Sequence, residues 1–477
     1  MDDYRIELSA RILGDYDVIV CGGGTAGCIA ALAASRTGAS VLLLEAGYYL
    51  GGMITQGNAG LTKYVMHGID TTEQYKINKE LEFEPENVQV AGGIPLEITN
   101  ALISNGSALG NYGTGASYVY TDAHTFKLYL FRLLKDAGVK ILLHSQIIQV
   151  IKTNNHIDGV VYYNKEGTFV AHGKYIIDTT GDGDVSALAG VEYYVGACAH
   201  DSVVKDGLIP VGKLQNPGSM YRIAGVDFDT LVSYLKDQPD KYIHSPFGLM
   251  GLEEFLLSYE KGEAIVTFCK LGEKKKRFQV YNNPRQGVMV GCISTPTSLN
   301  CLNADEWTQA ELDVLETCTK QLNTIKEEYP GFENAFIIDV PPAGIRETRH
   351  IMGEYLLTIR DILTNKDFED SIGLSSHPVD IYPLPSECTD IVPPARAYFR
   401  VPYRSLVAKG IDNLLLAGRL ISATREASGC TRPTVCCMVT GEAAGTAAAL
   451  LSTTGGAARD IDINLLRDTL KKNNVKL

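Results

Sequence analysis

The stretch that decides the fold is Tyr16-Asp17-Val18-Ile19-Val20-Cys21-Gly22-Gly23-Gly24-Thr25-Ala26-Gly27-Cys28-Ile29-Ala30-Ala31-Leu32-Ala33-Ala34. It passes from an apolar, β-branched segment of strand length, through glycines, into an Ala-rich segment that favours helix. A second apolar run, Ser40 to Leu44, ends in Glu45. Glycines 22, 24 and 27 therefore occupy a strand-to-helix turn inside a βαβ unit. Gly22 allows the tight turn, Gly24 lets a phosphate approach the backbone, and Gly27 allows the helix to pack closely on the strands. Thr25 and Ala26 open the helix, whose free N–H groups and positive dipole suit a pyrophosphate. Glu45, followed by Ala46, can accept hydrogen bonds from both ribose hydroxyls of an adenosine. Its charge disfavours a 2′-phosphate. Together these parts predict a Rossmann-type dinucleotide site.

Outward from this unit, the region from Ile147 to Asp178 reads as three short strands, His156–Tyr163, Thr168–His172 and Lys174–Asp178. Turns are expected at Asn154-Asn155 and Lys165-Glu166-Gly167. The last strand runs into Asp178-Thr179-Thr180-Gly181-Asp182-Gly183-Asp184. Near the other end of the chain, Asn413 to Gly418, then Arg419, reads as a strand closed by glycine. Thr431-Arg432-Pro433-Thr434 precedes a long Ala/Gly-rich helix. Pro433 fits its first turn, with Thr431 or Arg432 near the cap. Gly441 and Gly445 share one helical face, which predicts close packing on the sheet.

The combination GGGTAG, Glu45, Gly51-Gly52-Met53, Thr180-Gly181-Asp182-Gly183-Asp184 and NLLLAGR…GEAAGTAAA resembles the broad family of FAD-dependent oxidoreductases with a glutathione-reductase-type FAD fold. Gly344 to Tyr355 (GIRETRHIMGEY) is similar to a signature of one branch, mostly uncharacterised bacterial and archaeal proteins. The resemblance covers about Tyr16 to Leu451. It implies an α/β fold: a Rossmann-type FAD-binding domain with a β-meander and an inserted α+β substrate or cap domain. It implies FAD as cofactor, with Gly51, Gly52 and Met53 beside the flavin and the Thr180-Gly181-Asp182 turn over the adenosine half. Gly418 and Arg419 fall at the C-terminal flavin motif. The N-terminus of the last long helix would face the flavin pyrimidine ring, where its dipole favours the negative charge of reduced flavin. Many members carry an acid after that glycine to hold the ribitol. This chain has Arg419, which could contact the pyrophosphate or ribitol differently.

Composition narrows the classes. A chain of 477 residues is long enough for two or three cores, and 47 glycines suit close backbone approaches. A net charge of -13 gives no general attraction for nucleic acid or anionic lipid. Lys274-Lys275-Lys276-Arg277 is a local exception, read as a solvated loop. The N-terminus shows no signal-peptide pattern, and no apolar run is expected to reach the ~18 residues of a membrane span. Eleven scattered cysteines without a Cys-x-x-Cys pair read as reduced thiols of a cytoplasmic protein, with neither disulfides nor a metal site.

No second Gly-x-Gly-x-x-Gly unit and no Cys-x4-Cys pair appear, which argues against a disulfide reductase. The expected division is 11–199 and 341–477 for the FAD-binding domain, with substrate-facing loops at 341–400, and 200–340 for the cap. Within the cap, Val288 to Ser294 reads as strand and Ala304 to Tyr329 as helix. Hydride transfer at flavin N5 needs an oriented substrate and a proton-handling group. Arg349, His350 and His377 are the catalytic candidates; Arg346, Tyr403 and Arg425 are candidates for substrate binding. His377 belongs to a set with Asp380 and Tyr382. Arg346 with Glu347, or Arg349 with Glu354, could instead be structural ion pairs, and His377 before Pro378 could be a loop residue. Cys436-Cys437 reads as a buried, inert pair more readily than a redox pair.

The resulting expectation is an FAD enzyme moving hydride to or from a small polar organic substrate, with no nucleic-acid or membrane partner and with room for homo-oligomerisation. A flavin monooxygenase fed by NAD(P)H and an electron-transfer subunit of a larger complex stay open. The lack of iron–sulfur cysteine spacing counts against the second, and the acidic charge against an RNA-modifying role.

Overall fold

The computed structural model describes residues 7–57, 61–62, 65–66, 88–111, 118–201, 205, 210–242, 251–271, 276–377, 379–381 and 398–477. The chain is a mixed α/β fold. The first strand, β1 (Arg11–Cys21), and the second, β2 (Val41–Leu44), run parallel on either side of the chain reversal made by helix α1 (Thr25–Arg36). β2 pairs parallel with Lys140–Leu142 on its outer side, and β1 pairs parallel with Gly167–Asp178 on the other. Val18, Ile19, Val20 and Leu42 to Leu44 are buried, as expected of a parallel sheet covered on both faces.

The meander consists of Gln146–Thr153, His156–Asn164 and Gly167–Asp178, all antiparallel, and completes a seven-stranded sheet with Leu414–Leu416. This corrects the reading of Thr168–His172 and Lys174–Asp178 as two strands. One 12-residue strand runs through both and changes partner along its length. His172 is the last residue paired with His156–Asn164, and from Ile176 the same edge pairs parallel with Leu414 to Leu416. Gly173 marks the changeover. It stays in the strand because Ile19 leaves no room for a side chain; a Cβ there would lie 2.8 Å from Ile19 Cδ1.

A second sheet is wholly antiparallel, in the order Val266–Leu271, Lys276–Asn282, Val288–Ser294, Gly218–Ala224 and Phe336–Asp339. The Ala304–Glu328 helix covers one face, capped by Asn303, and Tyr221 reaches it through Gln321 at 2.8 Å. Tyr221, Ile223, Phe278, Met289, Val314 and Cys318 form a core of their own. Of the basic run, Lys274 and Lys275 lie outside the described residues. Lys276 and Arg277 begin a strand rather than a loop.

The Thr434–Thr454 helix corrects two expectations. It is long and apolar enough to cross a membrane by length and composition, yet 89% of its most apolar stretch is buried inside the protein. It is apolar because it is enclosed on every side. Its glycines meet α1 rather than the sheet: a Cβ on Gly441 would lie 2.4 Å from Ala26 O, and one on Gly445 2.1 Å from Ala30 O. Pro433 is its cap, while Thr431 ends the preceding helix, Arg425–Thr431.

Candidate functional site

The glycine loop stands at the carboxyl ends of the parallel strands, where open α/β sheets bind ligands. Gly22 has φ 105°, and a Cβ there would meet Thr179 O at 2.5 Å. Gly27 lies so close to the loop that its Cβ would fall 1.8 Å from Gly22 O. Gly24 differs: among the described residues, nothing lies within 4 Å of a Cβ built on it. The space faces the first turn of α1, whose leading N–H groups have no partner within the helix. Glu45 lies at the end of β2 and its carboxylate accepts Gly23 N and Gly47 N, both at 2.6 Å. Ala46 is exposed beside it.

Gly51 and Gly52 lie against this loop. Gly51 N donates to Gly23 O at 2.8 Å and Thr25 Oγ1 to Gly51 O at 3.0 Å. Met53 extends to the second sheet, where its methyl would lie 3.2 Å from a Cβ on Gly344. Gly344 in turn bonds Gly218 at the start of that sheet, Gly344 N to Gly218 O at 2.6 Å. The C-terminal motif joins from the opposite side. Gly418, φ 87°, lies against the Ala26 methyl and donates its N–H to Thr440 Oγ1 at 3.0 Å. Arg419 follows, its side chain largely buried. Its guanidinium pairs with Asp182 and lies over Gly181.

The Thr180-Gly181-Asp182 turn is held from within. Thr180 Oγ1 donates to Asp178 Oδ1 at 2.7 Å, and Asp182 also accepts Thr348 Oγ1 at 2.7 Å. Burial pushes the Asp178 carboxyl up, while bonds from Ser186 and Thr180 pull it down. Burial and then Asp182 likewise raise Asp184, against the pull of Arg349. Sequence reasoning had placed Arg349 as a catalytic candidate or as a partner of Glu354. It lies 2.9 Å from Asp184 Oδ1 and 2.8 Å from Asp182 O.

His350 is 4% exposed, stacked on Tyr194, with Nε2 at 2.9 Å from Glu347 Oε1. Glu347 is buried. It accepts Gln215 N at 2.8 Å and faces the Arg425 guanidinium at 3.6 Å. Arg425 is 1% exposed, donating Nη1 to Lys213 O and N to Asp201 Oδ1, both at 2.7 Å. Tyr403 is buried with its hydroxyl on Ala458 O at 2.8 Å. Nothing in the local sequence signals that Glu347 joins His350 to Gln215 and Arg425, because the last two come from remote segments.

Arg346 stands where the Val288–Ser294 strand ends. Arg346 Nη2 donates to Ser294 Oγ at 3.0 Å, and its other terminal nitrogen bonds Asn216 O. His377, half-buried, follows the Ser371–Ser375 strand. Asp380, on the same segment, pairs at 2.9 Å with Arg432, just before the Thr434–Thr454 helix. Pro378 and Tyr382 lie outside the described residues. Burial pushes the Cys436 thiol up to about 12 and the Cys437 thiol higher still, the direction that disfavours a reactive thiolate.

The donor set suits a flavin dinucleotide: open space over Gly24, an acid for the ribose, and a long helix beginning beside Gly418. Arg419 Nε, Ser422 Oγ, Thr424 Oγ1, Thr431 Oγ1 and Arg432 Nε are buried without hydrogen-bond partners, all between that glycine and the helix. These atoms are ones that a further donor or acceptor can satisfy.

Digeranylgeranylglycerophospholipid reductase 1 of Methanococcoides burtonii is similar, 27% identical over 37% of this chain and 40% of that protein. Digeranylgeranylglycerophospholipid reductase 2 of Methanopyrus kandleri is 27% identical over 45% of this chain and 46% of that one. The matches thus span less than half the length of these curated relatives. Among solved structures, a geranylgeranyl bacteriochlorophyll reductase-like protein of Thermoplasma acidophilum shares 15% identity, covering 97% of this chain and 82% of that one, with a TM-score of 0.43. Residues 17–470 match the FAD dependent oxidoreductase family, and the chain belongs to that family, with FAD as its cofactor.

Proposed function

We propose that this enzyme transfers hydride between flavin N5 and a small polar organic substrate held where Met53 meets the second sheet. The observation that carries the reading is the contact of Met53 with Gly344, two residues before Arg346. It brings the glycine doublet of the cofactor loop against a segment bearing a cation. FAD supplies the two-electron ring chemistry. The Gly22–Gly27 loop, Glu45, Gly51 and Gly52 hold it, with Gly418 and the Thr434–Thr454 helix on the far side.

In this reading Arg346, anchored by Ser294 and Asn216, orients an anionic or carbonyl group of the substrate. His377 is the acid or base, on the segment that Asp380 ties to Arg432. His350, Arg349, Arg425 and Tyr403 position these elements without touching substrate. The cap covers about 200–340, and its second sheet excludes water from the reacting atoms.

The test is an anaerobic titration of the holoprotein, followed by flavin absorbance, with NADH and with a panel of small acids, alcohols and amines. Bleaching by a panel compound supports the proposal, and Arg346→Lys should then raise KM more than it lowers kcat. Bleaching by NADH alone, with peroxide formed on admitting air, would replace it with the monooxygenase reading.

A further inference from the structure

Tyr48 and His144 stand side by side at the carboxyl edge of the main sheet. Tyr48 is on the loop that follows Glu45, and His144 on the loop that follows Lys140–Leu142, the strand beyond β2. Backbone bonds join the two loops: Ser145 N donates to Glu45 O at 2.9 Å and His144 N to Gly47 O at 3.2 Å. The two rings meet edge to face, with centroids 5.1 Å apart and planes at 83°.

Tyr48 is 71% exposed, so a large ring is held in water, and a planar ligand covering it would remove that exposure. His144 turns through φ 55°, in the left-handed region that suits glycine best. The neighbouring Tyr49 is a weaker candidate because Lys127 already lies over its ring, 4.5 Å from the centroid.

The location specifies the ligand. Glu45 is the acid suited to the adenosine ribose, and the base bonded to that ribose must lie within a ring's reach of it. We infer that Tyr48 and His144 form the platform for the adenine of FAD, with Tyr48 offering its ring face and His144 bracing that ring's edge. The inference rests on the cofactor alone and stands or falls apart from the reaction proposed above.

The experiment is binding of FAD and of ADP to the full chain after its flavin is removed, for wild type and three variants. Tyr48→Ala should weaken FAD about tenfold, the size of a lost base–aromatic stack. ADP should weaken by the same factor, because it carries the same adenine. Tyr48→Phe should retain wild-type affinity, since stacking needs the ring and not the hydroxyl. His144→Gly should weaken FAD while raising the melting temperature of the flavin-free chain, because glycine fits that backbone. Unchanged FAD affinity in Tyr48→Ala would overturn the inference. So would a loss for FAD that ADP does not share, or a Tyr48→Phe variant as weak as Tyr48→Ala.

Discussion

Gly441 on the terminal long helix lies directly against Ala26 at the start of α1, so closely that a Cβ would sit 2.4 Å from the Ala26 carbonyl oxygen. One turn later Gly445 repeats the contact with Ala30. Two helices from opposite ends of the chain thus pack backbone to backbone beneath the glycine loop. Gly418 meets the Ala26 methyl on the same side. The contact sets Gly418 beside the first turn of α1.

Gly441→Ala and Gly445→Ala should therefore each destabilise the protein by about 3 kcal/mol or more, because the clash is with backbone and no side chain can move aside. Both should lower bound flavin with the melting temperature. A Gly441→Ala variant that melts like wild type would show that the helices can separate without loss.

Gly24→Ala should separate folding from cofactor binding. A Cβ there meets nothing, and φ -70° is open to any residue. We expect unfolding free energy within about 0.5 kcal/mol of wild type and a large loss of bound FAD, read from the absorbance ratio of the purified protein. Gly27→Ala, with its Cβ 1.8 Å from Gly22 O, should lose both.

Glu442 should make stability depend on pH. Burial pushes its carboxyl up to about 8, although the Ile94 N–H and then Arg36 pull the other way; an unfolded glutamate titrates near 4.5. Between these values the native state holds a proton that the unfolded chain has released. Stability from this group is therefore greatest below that window and falls as pH rises through it. Glu442→Gln should remove the slope and be more stable than wild type at pH 9, by on the order of a few kcal/mol. Urea unfolding at pH 5 and pH 9 measures it, and parallel pH slopes for the two proteins would refute it.

Glu347→Ala should cost about 3–5 kcal/mol, because it leaves the Arg425 guanidinium buried without a countercharge. Replacing Glu347 and Arg425 together by Met should cost less than Glu347→Ala alone. Denaturant midpoints for the variants test the coupling, and strict additivity would show that the two groups act independently.

The sequence by itself determined the dinucleotide unit. Tyr16 to Glu45 is local: strand, turn and helix follow from side chains within a few residues of one another. The Val288–Ser294 strand was equally legible, and the Ala304–Glu328 helix nearly so, ending one residue short of the run read from its period. Only the tertiary structure decided the rest. The Gly167–Asp178 strand looks broken at Gly173 because its polar and glycine residues interrupt the apolar run, and its continuity depends on pairing with β1 from Phe169 to Asp178, a partner remote in the chain. Arg349, Arg419 and Arg425 have the charge and reach of ligand-binding groups, and nothing in their own segments reveals Asp184, Asp182 and Glu347 as partners. An arginine's role is set by which carboxylate the fold brings within about 3 Å, and that distance belongs to the packing of remote segments.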